Sequence, residues 1–251
     1  MLRFYRLLAV LVLASPVCAE DQILKDIDSQ ASYVGTDFSA EYTVVQKKAG
    51  QGESSTTLAV YRRDEEDKYV LVLLKPEADK GKGVLRISNS LWKYFPSSRR
   101  FEVTSAKDVF QNSNVRYSDF NASTLAKDYK VVANTSEKLG KFDTTVLTIE
   151  AVNDQVTFPK AKLWITADNL IRKREDYSLS GQLLRTTAIP TYTKIGRWSV
   201  PNNLIILDQL AGETVNGTFV NDRTLVKIDK PQFEKLGDLT FSQAYLERLG
   251  R

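Results

Sequence analysis

The 251-residue sequence predicts an α+β domain made mostly of antiparallel strands. Residues 84–104 read as consecutive short strands of alternating polarity. From Tyr129 onward, strand candidates follow one another with turn signals about every eight to twelve residues, the pattern of a sandwich or barrel. One segment of helical period, Glu20–Val34, precedes the first strand, with Ile23, Leu24, Ile27 and Tyr33 near helical spacing and Gly35 as its stop.

Residues 1–19 have the makeup of a secretory signal. Arg3 and Arg6 give a charged start, Leu7–Leu13 an apolar core, and Val17-Cys18-Ala19 resembles an A-x-A cleavage site. A membrane-spanning anchor needs about 18 apolar residues or more, and this core is shorter. The expectation is an exported, periplasmic chain with a single domain over residues 20–251. Cys18 leaves a second mature end open: acylated, it would make the chain a membrane-anchored lipoprotein, although Val17 departs from the small residue usual before such a cysteine. Cleavage after Ala19 removes the one cysteine, and with it any disulfide.

Composition narrows the chemistry. The sequence has no histidine, which excludes a His-based triad, a His–Cys pair and any His-ligated metal. Its 35 basic and 31 acidic side chains nearly balance, so charge gives no argument for nucleic acid. About 230 residues suffice to bury one core.

In chain order, Asp37–Lys48 alternates with Phe38, Ala40, Tyr42 and Val44 on one side, Gly50-Gln51-Gly52 turns the chain, and Ser55–Arg63 returns. The charged run Arg62–Lys68 reads as a solvated hairpin end. Tyr69–Leu74 is a continuous apolar run, the mark of a strand buried on both faces, ended by Lys75-Pro76. Val84–Ser88 and Leu91–Phe95 form a hairpin around Asn89-Ser90. With Arg86 and Lys93 in water, Leu85, Ile87, Trp92 and Tyr94 share the opposite face. Pro96-Ser97-Ser98 and the basic corner Arg99-Arg100 lead to a third strand carrying Phe101 and Val103. Ser105–Ser118 is an irregular polar loop anchored by Phe110, Val115 and Tyr117.

Ser123–Tyr129 reads as a short helix capped by Ser123 or Thr124. The later strands are Lys130–Lys138, Thr144–Val152, Lys160–Thr166, Ile171–Leu179, Leu183–Lys194, Leu204–Ala211 and Thr218–Asp229. Pro231 ends the last of them, and Asp238–Arg251 is a tail with a final helical turn. The run Arg172–Asp176 reads as a strand with its charges outward.

Trp92, Tyr94, Trp164 and Trp198 either line a ligand cavity or fill a core. Alternation puts Trp164 on the outer side with Lys160 and Lys162, turning Leu163 and Ile165 inward. Arg99 and Arg100 suit an anionic head group, a partner's acidic patch, or simply a solvated loop tip. Adjacent carboxylates such as Glu65-Glu66 point opposite ways on a strand and make no acid–base pair. Three N-x-S/T triplets, at Asn121, Asn134 and Asn216, carry no weight in a bacterial exported chain. No phosphate loop, nucleophile elbow or metal cluster is present in the sequence.

Several of these elements, in this order, resemble the outer-membrane lipoprotein-sorting family, the LolA-like half-barrels. Gly83-x-Leu85 … Leu91-Trp92-x-Tyr94-x-Pro96 … Arg99-Arg100 is similar to that family's G-x-x-L and W-x-Y-x-P-x-x-x-R. Phe110, Ser113, Tyr117 and Asp119 keep its F-x-G-S-D-F-S-Y-E-D-L element, with Asn112 in place of Gly and Asn114 in place of Asp. Asn tolerates left-handed backbone, so the turn can survive the first change. Leu163-Trp164-Ile165 with Asp168, Arg172–Tyr177, Gly181–Leu184, Ile195–Pro201 and Leu239–Arg248 extend the likeness over nearly all of the chain beyond the leader.

The resemblance implies a strongly curved antiparallel sheet, a half-barrel, with Glu20–Val34 and Ser105–Tyr129 covering its concave face. It also implies a carrier of lipid or lipoprotein acyl chains, loaded at an inner-membrane transporter and unloaded at an outer-membrane acceptor, without enzymatic activity, cofactor, metal or nucleic acid. Leu85, Ile87, Trp92, Tyr94, Phe101, Val103, Leu147, Ile149, Leu163 and Ile165 are the expected cavity residues. Phe110, Val115 and Tyr117 are the expected lid, and Arg99 and Arg100 the expected head-group or partner contact. Two other readings stay open: a periplasmic sensory or adaptor protein that binds a partner, and an envelope-lipid hydrolase, which would need a nucleophile and base without histidine.

Overall fold

A computed structural model of the chain describes residues 16–250. Most of the expected leader, and the Cys18 side chain, lie outside the described residues. The chain runs α1 (Pro16–Ala31), β1 (Phe38–Lys48), β2 (Gly52–Arg63), β3 (Lys68–Lys75), β4 (Gly83–Ile87), β5 (Ser90–Phe95), β6 (Arg100–Val103), α2 (Leu125–Asp128), β7 (Tyr129–Leu139), β8 (Phe142–Ala151), β9 (Lys160–Ile165), β10 (Ile171–Tyr177), β11 (Leu183–Ala188), β12 (Tyr192–Ile195), β13 (Trp198–Pro201), β14 (Asn203–Val215), β15 (Thr218–Phe233) and α3 (Gln243–Leu249).

Thirteen strands make one antiparallel sheet, ordered β6-β5-β4-β3-β2-β1-β15-β14-β11-β10-β9-β8-β7, with β12 and β13 as a separate hairpin. The sheet does not close; it is an open half-barrel with β6 and β7 as its two edges. This order fixes the path of one connection. Residues 104–128 leave one edge strand and enter the other, so they must cross the whole open face. That crossing and α1 cover the inner face.

Cross-strand partners share a face, so register decides what points inward. Leu147 pairs with Leu163, Leu163 with Arg174, Arg174 with Thr187, Thr187 with Ile206, Ile206 with Thr224 and Thr224 with Gln46. On the other half, Tyr42 pairs with Leu58 and Leu58 with Leu73, while Val60, Leu71, Val84 and Lys93 form a parallel row. The row of Val70, Leu85, Trp92 and Val103 faces outward. Both faces of β2–β5 are covered. Tyr69, Leu71 and Leu73 join the inner core, and Val70 and Val72 join an outer core with Phe241 and Leu246 of the C-terminal segment. The apolar run of β3 is therefore buried on both sides, as its composition predicts.

Several local expectations are corrected. The first helix ends three residues earlier, at Ala31, and the hairpin turn is Ser88-Asn89, with Ser88 left-handed (φ 51°). Leu183–Lys194 splits into β11 and β12, because Pro190 lacks the amide a continuing strand needs. Pro231 does not end β15; it falls at a bulge between the pairs Glu41–Asp229 and Ser39–Gln232, where proline is tolerated. Thr124 holds the N-cap position of α2, but neither its side chain nor that of Ser123 caps the first amides. Asp28 of α1 does so from outside, accepting the Leu125 and Ala126 amides (2.8 and 2.9 Å) and the Ser123 hydroxyl (2.6 Å). The run Arg62–Lys68 is not simply solvated, since Arg62 and Arg63 are both buried and paired. Arg174 and Asp176 point inward, and the C-terminal tail packs as a cover on the outer face.

Candidate ligand site on the inner face

The crossing segment folds onto the sheet through a compact turn. The Phe110 amide donates to the Val115 carbonyl (2.7 Å), and the Ser113 hydroxyl both donates to the Phe110 carbonyl (2.6 Å) and accepts from the Val115 amide (3.1 Å). Gln111 and Asn112 are left-handed, at φ 49° and 55°, so asparagine does hold the conformation that glycine supplies in the resembled motif. This turn drives Phe110 and Val115 downward. With Tyr117 and Phe120, on a short 3-10 turn, they are buried against Leu58, Leu73 and Val84 from one half and Ile206 and Val226 from the other. Each such side chain contributes about 1.5–3 kcal/mol of burial.

Polar contacts tie the segment to the frame. The Asn114 amide donates to the Thr224 hydroxyl (2.9 Å) and its Nδ2 to the Asp222 carbonyl (3.1 Å). Tyr69 donates to the Tyr117 carbonyl (3.1 Å), and Arg86 Nη1 to Asn121 Oδ1 (2.7 Å). Lys93 lies 5.1 Å from the centre of the Tyr117 ring. Near α2 the inner face carries a charged group. Asp176 is fully buried, its Oδ1 accepting from Arg174 Nε (2.6 Å) and its Oδ2 from Arg185 Nε (2.9 Å). Burial alone would push the Asp176 carboxyl up; the two guanidinium charges outweigh it and hold the group below the usual carboxylate range. Arg185 Nη1 reaches across to Asp119 Oδ2 on the crossing segment (2.7 Å).

The gap left beside Tyr69, Arg86 and Phe120 is too small to hold a water molecule. Ligand cavities usually run from about 300 to 1,000 Å³. The side chains of the crossing segment fill the inner face there.

The structure divides the expected cavity residues between the two faces. Leu147, Ile149, Leu163 and Ile165 lie on the inner face, fully buried under Leu24 and Ile27 of α1. Leu85, Ile87, Trp92, Tyr94 and Phe101 lie on the outer face, packed with Phe241, Leu246 and Tyr245. Val103 faces the same way and is 80% exposed. Arg86 and Lys93, expected in water, face inward instead. Phe110, Val115 and Tyr117 sit together in the crossing segment. Arg99 and Arg100 are exposed at the β5–β6 turn and have no ion-pair partner among the described residues. Trp164 lies outward with Lys173 Nζ 4.1 Å from its ring, and Trp198 stacks on Phe233 near Tyr33.

Sequence reasoning missed Arg174, Asp176 and Arg185 as inner-face residues. Their position follows only from cross-strand register with Leu163 and Ile206. Among the described residues there is no group of acidic or cysteine side chains arranged to hold a metal, and no helix long and apolar enough to cross a membrane.

Solved structures share this architecture. A LolA superfamily protein from Nitrosomonas europaea aligns with a TM-score of 0.74 at 20% identity, over 90% of this chain and 98% of its own. A putative outer membrane lipoprotein-sorting protein domain from Vibrio parahaemolyticus aligns at 0.79 and 19%, over 92% and 100%. A DUF1329 family protein from Desulfovibrio piger aligns at 0.80 and 16%, over 93% and 100%. No curated protein matches the sequence. Residues 65–248 match the model of a family described as "Uncharacterized protein". The chain belongs to that family, and its open sheet with a covered inner face is the half-barrel of the LolA-like proteins.

Proposed function

We propose that this protein is a periplasmic carrier, not an enzyme, that shields lipid or lipoprotein acyl chains on the inner face of its half-barrel and moves them towards the outer membrane. The observation that carries this reading is the crossing segment. Four of its apolar side chains lie on strands from both halves of the sheet, and moving the segment would uncover Leu58, Leu73, Val84, Ile206 and Val226 as one apolar surface. Each methylene a guest buries there is worth about 0.8 kcal/mol, so an acyl chain can replace the segment without catalytic groups. The likeness to a putative lipoprotein-sorting domain supports the same use. On this reading residues 1–19 are the export signal, residues 20–251 the carrier domain, and an inner-membrane transporter and an outer-membrane acceptor its partners.

The filled interior favours a second reading, an adaptor that binds a partner protein and no lipid. Native mass spectrometry with lipid extraction, on protein purified from a periplasm, separates the two. The carrier reading expects a lipid or acylated peptide at near one-to-one ratio. A protein that stays empty after incubation with lipids and lipoproteins overturns it in favour of the adaptor. The same spectrum gives the mature mass, and so decides between cleavage at Ala19 and acylation at Cys18.

A further inference from the structure

The charged group on the inner face is balanced only while the crossing segment is down. The sheet supplies two arginines, Arg174 and Arg185, and one paired carboxylate, Asp176. Each Asp176 oxygen accepts from the Nε of one arginine, and Asp176 makes no hydrogen bond to the Nη edge of Arg185. Asp208, opposite Arg185 in β14, accepts the Leu210 and Ala211 amides with Oδ1 and forms no ion pair with it. The Nη1 of Arg185 is met by Asp119, which belongs to the segment rather than the sheet. Arg185 is 8% exposed and lies over the Phe158 ring at 4.6 Å. When Asp119 leaves, Arg185 keeps Asp176 at Nε but its Nη1 loses a charged partner, and taking one partner from a desolvated charge is costly.

We infer that the inner face takes an amphiphile with an anionic head, a carboxylate or phosphate, whose charge replaces Asp119 at Arg185. This rests on the carrier reading and adds a substrate class to it. The exchange keeps the ionic balance. Asp119 leaves with the segment, and an incoming oxyanion accepts from the fork that Arg185 then presents, a geometry suited to carboxylate and phosphate alike. The acyl part would run from there along Thr187 and Ile206 toward Val226, where Phe110 and Val115 now pack. A neutral amphiphile can fill the same apolar strip but leaves Arg185 Nη1 without the charged partner it has in Asp119, so chain length being equal it binds more weakly.

The test compares palmitoyl lysophosphatidate with monopalmitin, which share glycerol and acyl chain and differ in the phosphate. Binding to the purified full chain is read by calorimetry, with inorganic phosphate as a third probe. The expected result is tighter binding of the lysophosphatidate by about tenfold or more, the scale of one charged hydrogen-bonding pair. Arg185→Gln is expected to abolish that preference while still binding monopalmitin, and Asp119→Asn to tighten both amphiphiles and keep it. Should Arg185→Gln fail to fold, the wild-type ratio and Asp119→Asn still decide. Equal affinity for the two amphiphiles in the wild type overturns the anionic-head assignment and leaves the carrier reading standing. Binding of neither overturns both. Inorganic phosphate bound as tightly as the lysophosphatidate, and lost in Arg185→Gln, supports the oxyanion site but overturns its assignment to a lipid head.

Discussion

Arg62 and Arg63 are consecutive in β2, point to opposite faces of the sheet, and each clamps a different covering segment. Arg62 faces inward: it pairs with Asp64 (2.7 Å), donates to the Ala31 carbonyl at the end of α1 (3.2 Å) and lies 4.9 Å from the Tyr33 ring. Arg63 faces outward: it grips Asp37 with two hydrogen bonds (2.9 and 2.8 Å) and the C-terminal segment through the Leu236 carbonyl (2.7 Å) and Asp238 (2.6 Å). Arg63→Met strands the buried Asp37 carboxylate, and breaking a buried pair from one side costs about 3–5 kcal/mol. Hydrogen exchange in this variant should rise first over residues 234–250. In Arg62→Met it should rise first at residues 31–34, and the same opening in both variants would contradict the two-face assignment.

The buried carboxylates set the acid limit of the fold. Burial pushes the Asp37 pKa up, but the Arg63 hydrogen bonds and the Leu236 amide prevail and hold it below its ordinary value; Asp176 is lowered likewise. Both groups bind protons less readily folded than unfolded. Their stabilisation is therefore complete above the unfolded value of about 3.9 and is lost as pH falls below it through the folded pKa. Urea unfolding followed downward in pH should show a plateau and then a fall setting in near pH 4. Asp176→Asn should lower the plateau and flatten the fall; an unchanged slope would remove Asp176 from this account.

The sequence shows the strands plainly and their two faces poorly, for a physical reason. Alternation sorts residues into two sets, but it identifies the inner set only where one face meets water. In β4 and β5 both sets are covered, Val84 and Leu91 by the crossing segment, Leu85 and Tyr94 by the C-terminal segment. Arg86 and Lys93 look solvent-facing by composition, yet they reach Asn121 and the Tyr117 ring. The β8–β9 set was legible because Lys160 and Lys162 mark a wet outer face, leaving Leu163 and Ile165 to α1. The inner charges were not legible, because an arginine buried by a loop far away in the chain looks locally like any surface arginine.

Gly83 and Leu246 should behave as a coupled pair. A Cβ on residue 83 would lie 2.4 Å from Leu246 Cδ2, so Gly83 is what lets α3 settle on β4. Leu246 is wholly buried, and Leu246→Ala should cost about 2–5 kcal/mol. Gly83→Ala overpacks the same spot and should cost about 1–3 kcal/mol. The added methyl fits the space that Leu246→Ala vacates, so the double variant should be more stable than the sum of the two losses predicts, by at least about 0.5 kcal/mol. Urea midpoints of the four proteins give this coupling, and strict additivity would place α3 elsewhere.

The crossing segment must leave the sheet for the proposed cargo to enter, and residues 114 and 224 offer a lock. The Asn114 backbone amide meets the Thr224 hydroxyl at 2.9 Å, which brings the two residues close enough to test a disulfide between cysteines placed there. In an Asn114→Cys, Thr224→Cys protein that also carries Cys18→Ser, oxidation holds Phe110 and Val115 over Ile206 and Val226. Acyl-probe binding should then be absent under oxidising conditions and return on reduction, with thermal stability raised in the oxidised form. The two substitutions also remove the Thr224 hydroxyl from Gln46, so the reduced form should be somewhat less stable than wild type, which makes it the proper reference for binding. Full binding by the oxidised, crosslinked protein would mean that cargo does not lie beneath this segment, and would turn attention to the outer face with Trp92 and Phe101.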